Sequence, residues 1–140
     1  TDYHFISDSD FDGRVEAGDF IEHATVHGHR YGTLKSEILS RLDNGRNALL
    51  DIDVQGAGQI RELTESDPDW RRRVCFVFFA PPSMAELERR LRWRQTEDEE
   101  TIRRRLDTAR EEMEQQSLFD HVVVNNNVDK AVAELAGMLP

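Results

Sequence analysis

Two apolar runs constrain the fold more than anything else in the sequence. Ala48-Leu49-Leu50-Asp51-Ile52-Asp53 closes on two carboxylates, and Val74 to Ala80, rich in valine and phenylalanine, closes on Pro81-Pro82. Runs that do not alternate polar with apolar are what strands buried on two faces look like. Between them, from about Gln55 to Leu63, the pattern is helical. After the second run Ser83 opens another helix, with Met84, Leu87 and Leu91 on one side. Strands that alternate with helices are joined by crossovers, so the expected fold is α/β with a parallel sheet.

The flanking segments fit around that core. Tyr3 to Ile6 alternates like a strand, Asp8 to Ala17 reads as a short helix stopped by Gly18, and Phe20 to Val26 alternates again. His27 to Gly32 reads as a turn. Thr33 is expected to cap a helix carrying Leu34, Ile38, Leu39 and Leu42, which Asn44-Gly45 ends. A charged helix from roughly Asp98 to Gln116 leads to a short strand, His121 to Val124, and Val128 to Met138 is a closing amphipathic helix. There are no internal repeats or linkers, and 140 residues is the length of one domain.

Charge narrows the function. With 28 acidic and 18 basic residues the formal charge is −10, which argues against a protein that holds nucleic acid by its backbone. No apolar run approaches the roughly 20 residues of a membrane-crossing helix. The start of the sequence pairs no basic stretch with an apolar one, as a secretory signal would. Cys75 is the single cysteine, and its place in an apolar run predicts a buried, inert thiol in a reducing cytoplasm.

The basic residues are unevenly placed. Eight of the 16 arginines lie between Arg89 and Arg110. Arginine binds phosphate bidentately and keeps its charge, so the cluster is a candidate anion site. The competing reading is a solvated helix laced with ion pairs, since Glu97, Glu99, Glu100, Glu111 and Glu112 lie among the arginines. Asp51 and Asp53, two apart and so on one face of the expected strand, lie at its carboxyl end, where ligands gather in open parallel sheets. Asp53 could instead simply cap the following helix. His27 and His29 would share a strand face, but no cysteine or well-placed carboxylate completes a zinc set.

Seven segments together resemble guanylate kinase in order and spacing. They are Asp2-Tyr3-His4-Phe5, Phe20-Ile21-Glu22, Val26-His27-Gly28-His29-Arg30-Tyr31-Gly32-Thr33, Leu50-Asp51-Ile52-Asp53-Val54-Gln55-Gly56-Ala57, Ala80-Pro81-Pro82-Ser83, Arg89-Arg90-Leu91 and Val122-Val123-Val124-Asn125. The resemblance implies a P-loop nucleoside monophosphate kinase-like fold: a parallel-sheet core, a small mixed GMP-binding subdomain and a helical lid. On that plan residues 1–33 belong to the GMP subdomain, 34–88 and 117–140 to the core, and 89–116 to the lid. The implied activity is transfer of a phosphoryl group from ATP to GMP or dGMP, with Mg2+, giving ADP and the nucleoside diphosphate.

The implied roles agree with the chemistry of the side chains. Guanine offers two adjacent donors, N1–H and the exocyclic amine, and Glu22 matches the carboxylate that accepts both. Thr33 and Asp53 add a hydroxyl and a second carboxylate for the same base, and sites built to hydrogen-bond a substrate reject analogues that lack the partners. Tyr3 and Tyr31 match phenols on the GMP phosphate. Arg90, Arg94 and Arg105 match lid-region arginines on phosphates, with Arg90, Arg94 and Asn125 on the ATP side. Asp51 resembles a carboxylate near the magnesium, acting through water. Arg89, Arg92, Arg103 and Arg104 are expected to be solvated or paired with glutamates.

Two departures accompany the resemblance. The family opens with a strand and a loop of the type G-x-x-x-x-G-K-[ST] that cradles ATP phosphates, and this sequence has neither. The 140 residues alone are therefore not expected to be a competent kinase. Arg94-Gln95-Thr96 also has glutamine where the enzymes usually have glycine, which is expected to stiffen a lid hinge. Both features lean toward an alternative, the non-catalytic guanylate kinase-like domains that bind phosphorylated peptides. Asp51, Asp53, Gln55 and the spaced arginines favour the enzymes.

Overall fold

The structure is a computed structural model and describes residues 3–140, so Asp2 of the first resembling segment lies outside the described residues. The chain divides into two compact units, one ending at Val74 and the other running from Cys75 to Pro140.

In the first unit, helix α1 (Asp8–Ala17) is capped by Ser7, whose side chain accepts from the Asp10 amide, and stopped by Gly18 at φ 71°. Strands β1 (Phe20–Val26) and β2 (His29–Leu34) form an antiparallel hairpin. Its turn is only His27 and Gly28, both in the left-handed region at φ 50° and 78°, the backbone that two-residue hairpin turns need to match strand twist. The turn expected over residues 27–32 is thus shorter, and Tyr31 and Thr33 lie in β2. Thr33 does not cap a helix: α2 (Lys35–Asp43) begins after Leu34 with no side-chain cap. Helix α3 (Val54–Ser66) is capped by Asp53 and followed by α4 (Pro68–Arg73), which buries Trp70. Helix α4 is not among the elements expected from the sequence, although Asp67 as cap and Pro68 at the first helical position are its ordinary start signals. Phe11, Ile21, Ile38, Ala57, Ile60 and Trp70 are the buried apolar side chains of this unit.

Two expected strands do not form. Tyr3 to Ile6 carries no strand, and Tyr3, Phe5 and Ile6 are all exposed. Ala48 to Asp53 is likewise irregular. A strand exists only where a neighbour satisfies its backbone groups. Among the described residues neither segment has a ladder partner, because β1 and β2 pair only with each other.

The second unit holds the parallel pair, β3 (Val77–Ala80) beside β4 (His121–Val124), in register Val77 to His121 through Ala80 to Val124. The parallel sheet of an α/β fold is therefore present. Between the strands run α5 (Met84–Trp93) and α6 (Glu99–Glu114), and α7 (Val128–Gly137) closes the chain. Leu91, Ile102 and Leu106 form the buried seam of α5 and α6, with Met84 and Leu87 packed against it. Val123 is fully buried, and Phe78 meets the Phe119 ring at 5.1 Å.

The run from Val74 to Ala80 differs from expectation at both ends. Val74 ends α4, Cys75 is exposed rather than buried, and Phe79 is about half exposed. Within this unit a two-stranded sheet covers Phe76, Phe78 and Ala80 but leaves Phe79 uncovered, so the strand is not buried on both faces. Partial burial and the Asp120 charge nearby raise the Cys75 thiol pKa, which lowers its thiolate fraction. Among the described residues no helix is long and apolar enough to cross a membrane.

Candidate functional site

The three expected base-reading side chains come close together in the first unit. The β1–β2 register slips between Phe20 and Glu22, so that Phe20 lies opposite Leu34 while Glu22 lies opposite Thr33. Without such a bulge Phe20 and Glu22, two apart, would share a face. With it, Phe20 turns to stack on Phe11 at 4.7 Å and to cover Gly32, where a Cβ would sit 2.6 Å from the ring. Glu22 is left beside Thr33, whose hydroxyl donates to Glu22 Oε1 at 2.8 Å.

The other Glu22 oxygen reaches the first turn of α3. A Cβ on Gly56 would lie 3.2 Å from Glu22 Oε2, so glycine is what allows this approach. The Gly56 amide donates to Asp53 Oδ1 at 2.8 Å. Asp53 thus is a helix cap, as the simpler reading held, and the cap places its carboxylate at the same helix turn that Glu22 approaches. The positive end of the α3 dipole favours both negative charges there.

Gln59, which the sequence reading did not single out, joins α3 to β1. Its Oε1 accepts from the His23 amide at 2.9 Å and its Nε2 donates to the His23 carbonyl at 2.8 Å. A glutamine on the helix face that also carries Gly56, Ile60 and Leu63 was the available signal, since a polar residue among packing positions needs a partner.

Tyr3 and Tyr31 meet edge to face with ring centroids 6.2 Å apart, and Tyr31 is two residues from Thr33 on β2, on the same strand face. Asp51 is exposed and, among the described residues, makes no hydrogen bond or ion pair. It does not share a strand face with Asp53, because no strand forms there.

In the second unit the arginines are mostly paired. Arg89 and Arg90 both bind Glu86, and Arg92 bridges Glu88 and Glu99. Arg105 pairs with Glu97 at 2.6 Å and Arg110 with Asp107 at 2.7 Å. The ion-pair reading of this stretch is therefore correct as a description of its contacts. Hydrogen bonding by Arg89, and then by Arg90, holds the Glu86 carboxyl down at about 2. Arg90 also donates to the Asn125 carbonyl at 3.1 Å, where the chain leaves the carboxyl end of β4. Two expected ATP-side residues are thus brought together. Arg94, at the end of α5, is exposed and makes no ion pair or side-chain hydrogen bond among the described residues.

The guanylate kinase family model matches residues 1–140. The chain belongs to the guanylate kinase family. It is 46% identical over 138 residues to the guanylate kinase of Leifsonia xyli, covering 98% of this chain and 52% of that protein. It is 40% identical over 139 residues to the guanylate kinase of Fusobacterium nucleatum, covering 99% of this chain and 71% of that protein. A crystal structure of guanylate kinase from Anaplasma phagocytophilum superposes with a TM-score of 0.69 at 30% identity, over 99% of this chain and 63% of that one. The chain therefore spans about half to seven-tenths of the length of these guanylate kinases. Gln95, where the resemblance leads one to expect glycine, has φ 50°, the left-handed backbone that glycine adopts without strain.

Proposed function

We propose that these residues are the guanine-reading and phosphate-binding part of an ATP:GMP phosphotransferase. Glu22 accepts the two adjacent guanine donors, Thr33 orients that carboxylate and adds its hydroxyl, and Asp53 supplies the second carboxylate. Tyr3 and Tyr31 hold the GMP phosphate. Arg90, Arg94 and Arg105 neutralise phosphate charge during transfer, with Arg90, Arg94 and Asn125 serving ATP. In this reading residues 1–33 form the GMP subdomain, 34–88 and 117–140 the core, and 89–116 the lid. Transfer itself also requires a phosphate-cradling loop of the G-x-x-x-x-G-K-[ST] type, and the location is cytoplasmic.

The observation that carries the reading is that Glu22, held by the Thr33 hydroxyl, approaches the first turn of α3 that Asp53 caps. Magnesium fits the donors present in a limited way. No three His, Cys, Asp or Glu side chains gather into a metal set among the described residues, and magnesium needs no such cage, since it commonly keeps waters and is held by one or two carboxylates and the phosphates. The unpartnered Asp51 carboxylate is suited to hold one of those waters. When bound with ATP, magnesium neutralises charge on the phosphates.

Calorimetric titration of the chain with GMP and with AMP tests the base reading. The expected result is a GMP preference of about 10²-fold, the size of one or two hydrogen bonds to a charged group, abolished by Glu22→Ala. Discrimination that survives Glu22→Ala sinks this reading.

A further inference from the structure

We infer that Gln59 is a positioning residue for guanine selectivity, acting through β1 and touching no substrate. The inference rests on the base-reading role of Glu22 and Asp53 and deepens it. In an antiparallel hairpin each residue's amide and carbonyl point either to the partner strand or away from it. His23 faces Gly32 across the hairpin, and its amide and carbonyl both go to the Gln59 carboxamide, at 2.9 and 2.8 Å. The carboxamide thus takes the place that a neighbouring strand would have on the outer edge of β1. It binds that edge to α3 with one donor and one acceptor, a pairing that fixes position along the strand as well as distance.

That position matters because of where the carboxylates stand. Glu22 is the residue before His23, and Asp53 caps the helix that carries Gln59. Glu22 Oε2 lies close enough to α3 that a Cβ on Gly56 would sit 3.2 Å away. The carboxamide clasp is therefore a hydrogen-bonded tie between the strand that bears one carboxylate and the helix that bears the other. Its neighbours on the hairpin do not share this task, since Thr33 aims the Glu22 side chain but belongs to β2. Glutamine suits the role because only a carboxamide offers a donor and an acceptor side by side on an uncharged group. Glutamate would keep the bond from the His23 amide and set a carboxylate against the His23 carbonyl.

The test uses the full 140-residue chain with Gln59→Met, which keeps the length of the side chain, and Gln59→Glu, which keeps one of the two bonds. Each is titrated with GMP and AMP, and amide hydrogen exchange is followed at His23. We expect exchange at His23 to speed up and GMP affinity to fall by up to roughly tenfold in Gln59→Met, the worth of the lost pair of bonds being the upper bound on what a loosened site can lose. AMP affinity should be unchanged, and Gln59→Glu, which keeps one bond but sets a carboxylate against the His23 carbonyl, should also lose GMP affinity. A general loss of structure would weaken both nucleotides together. Equal GMP selectivity in wild type and both variants, or unchanged exchange at His23, overturns the inference while leaving the base reading standing. A wild-type chain without GMP preference overturns both.

Discussion

The two units hold the side chains proposed to meet the ligands by opposite means. In the first, Glu22 is fixed from a strand and a helix distant in sequence: by Thr33 across the hairpin, by the close approach to Gly56, and by the Gln59 clasp one residue along. In the second, the arginines are held mainly by acidic neighbours on the same helix, the next helix or the loop between them, and among the described residues Arg90 also reaches the Asn125 carbonyl. Where both partners are exposed, as in Arg92–Glu88 and Arg110–Asp107, such pairs are worth about 0–1 kcal/mol and are screened by salt, whereas the Glu97 partner of Arg105 is half-buried. A phosphate can take a guanidinium from such a pair at little cost. The lesson is that discrimination between similar bases calls for geometry locked before the ligand arrives, whereas neutralising phosphate calls for charge that is present and exchangeable.

The largest effect expected of any change in this comparison is in the α5–α6 seam. Leu106→Ala should cost about 3 kcal/mol of stability in urea unfolding, as buried leucines do. Arg110→Ala on the same helix, which removes an exposed pair with Asp107, should cost no more than about 0.5 kcal/mol. A comparable cost for both would break the claim that the ion pairs are marginal.

Next in size is the separation of the two roles given to Asp53. Asparagine caps a helix about as well as aspartate, so Asp53→Asn should stay within about 0.5 kcal/mol of wild type, while Asp53→Ala loses about 1 kcal/mol. GMP affinity should nonetheless fall roughly tenfold in Asp53→Asn, because a charged acceptor has become a neutral one. Unfolding and calorimetry on the same samples decide whether the carboxylate does more than cap.

Smaller again is Gln95→Gly, expected to add about 0.5–1 kcal/mol by relieving the left-handed backbone at φ 50°; no gain would mean that the strain is not felt. The smallest is a titration. The Glu86 carboxyl is depressed from 4.5 to about 2, chiefly by its bond to Arg89. Its folded-state pKa is the lower one, so its contribution is present above pH 4.5 and disappears as the pH falls through 2. Carboxyl chemical shifts against pH should show a midpoint near 2 in wild type and near 4.5 when both Arg89 and Arg90 are replaced by alanine.

What was legible in the sequence follows from how local its causes are. Helices α1, α3, α5, α6 and α7 announce themselves through local signals, the Gly18 stop, the starts at Asp53 and Ser83, and apolar or charged spacing, while the caps at Ser7 and Asn127 are added by the structure. The missing strands at Tyr3 to Ile6 and Ala48 to Asp53 could not be judged that way, because a strand depends on a partner that composition does not reveal. The same limit hid the site's construction. The resemblance pointed to Glu22, Thr33 and Asp53, but the bulge that turns Glu22 toward Thr33 and the clasp that Gln59 makes are relations between distant segments. Thr33 shows the difference well: its local pattern suggests a helix cap, and its actual partner is Glu22 on the neighbouring strand.

The central claim is that the first unit reads the base. Its most direct test is a titration of the 15N-labelled chain with GMP, followed by backbone amide shifts. The largest shifts are expected at Glu22, Thr33 and Gly56, with AMP at the same concentration leaving these amides in place. Shifts confined to residues 84–110, or equal responses of Glu22, Thr33 and Gly56 to the two nucleotides, would contradict it.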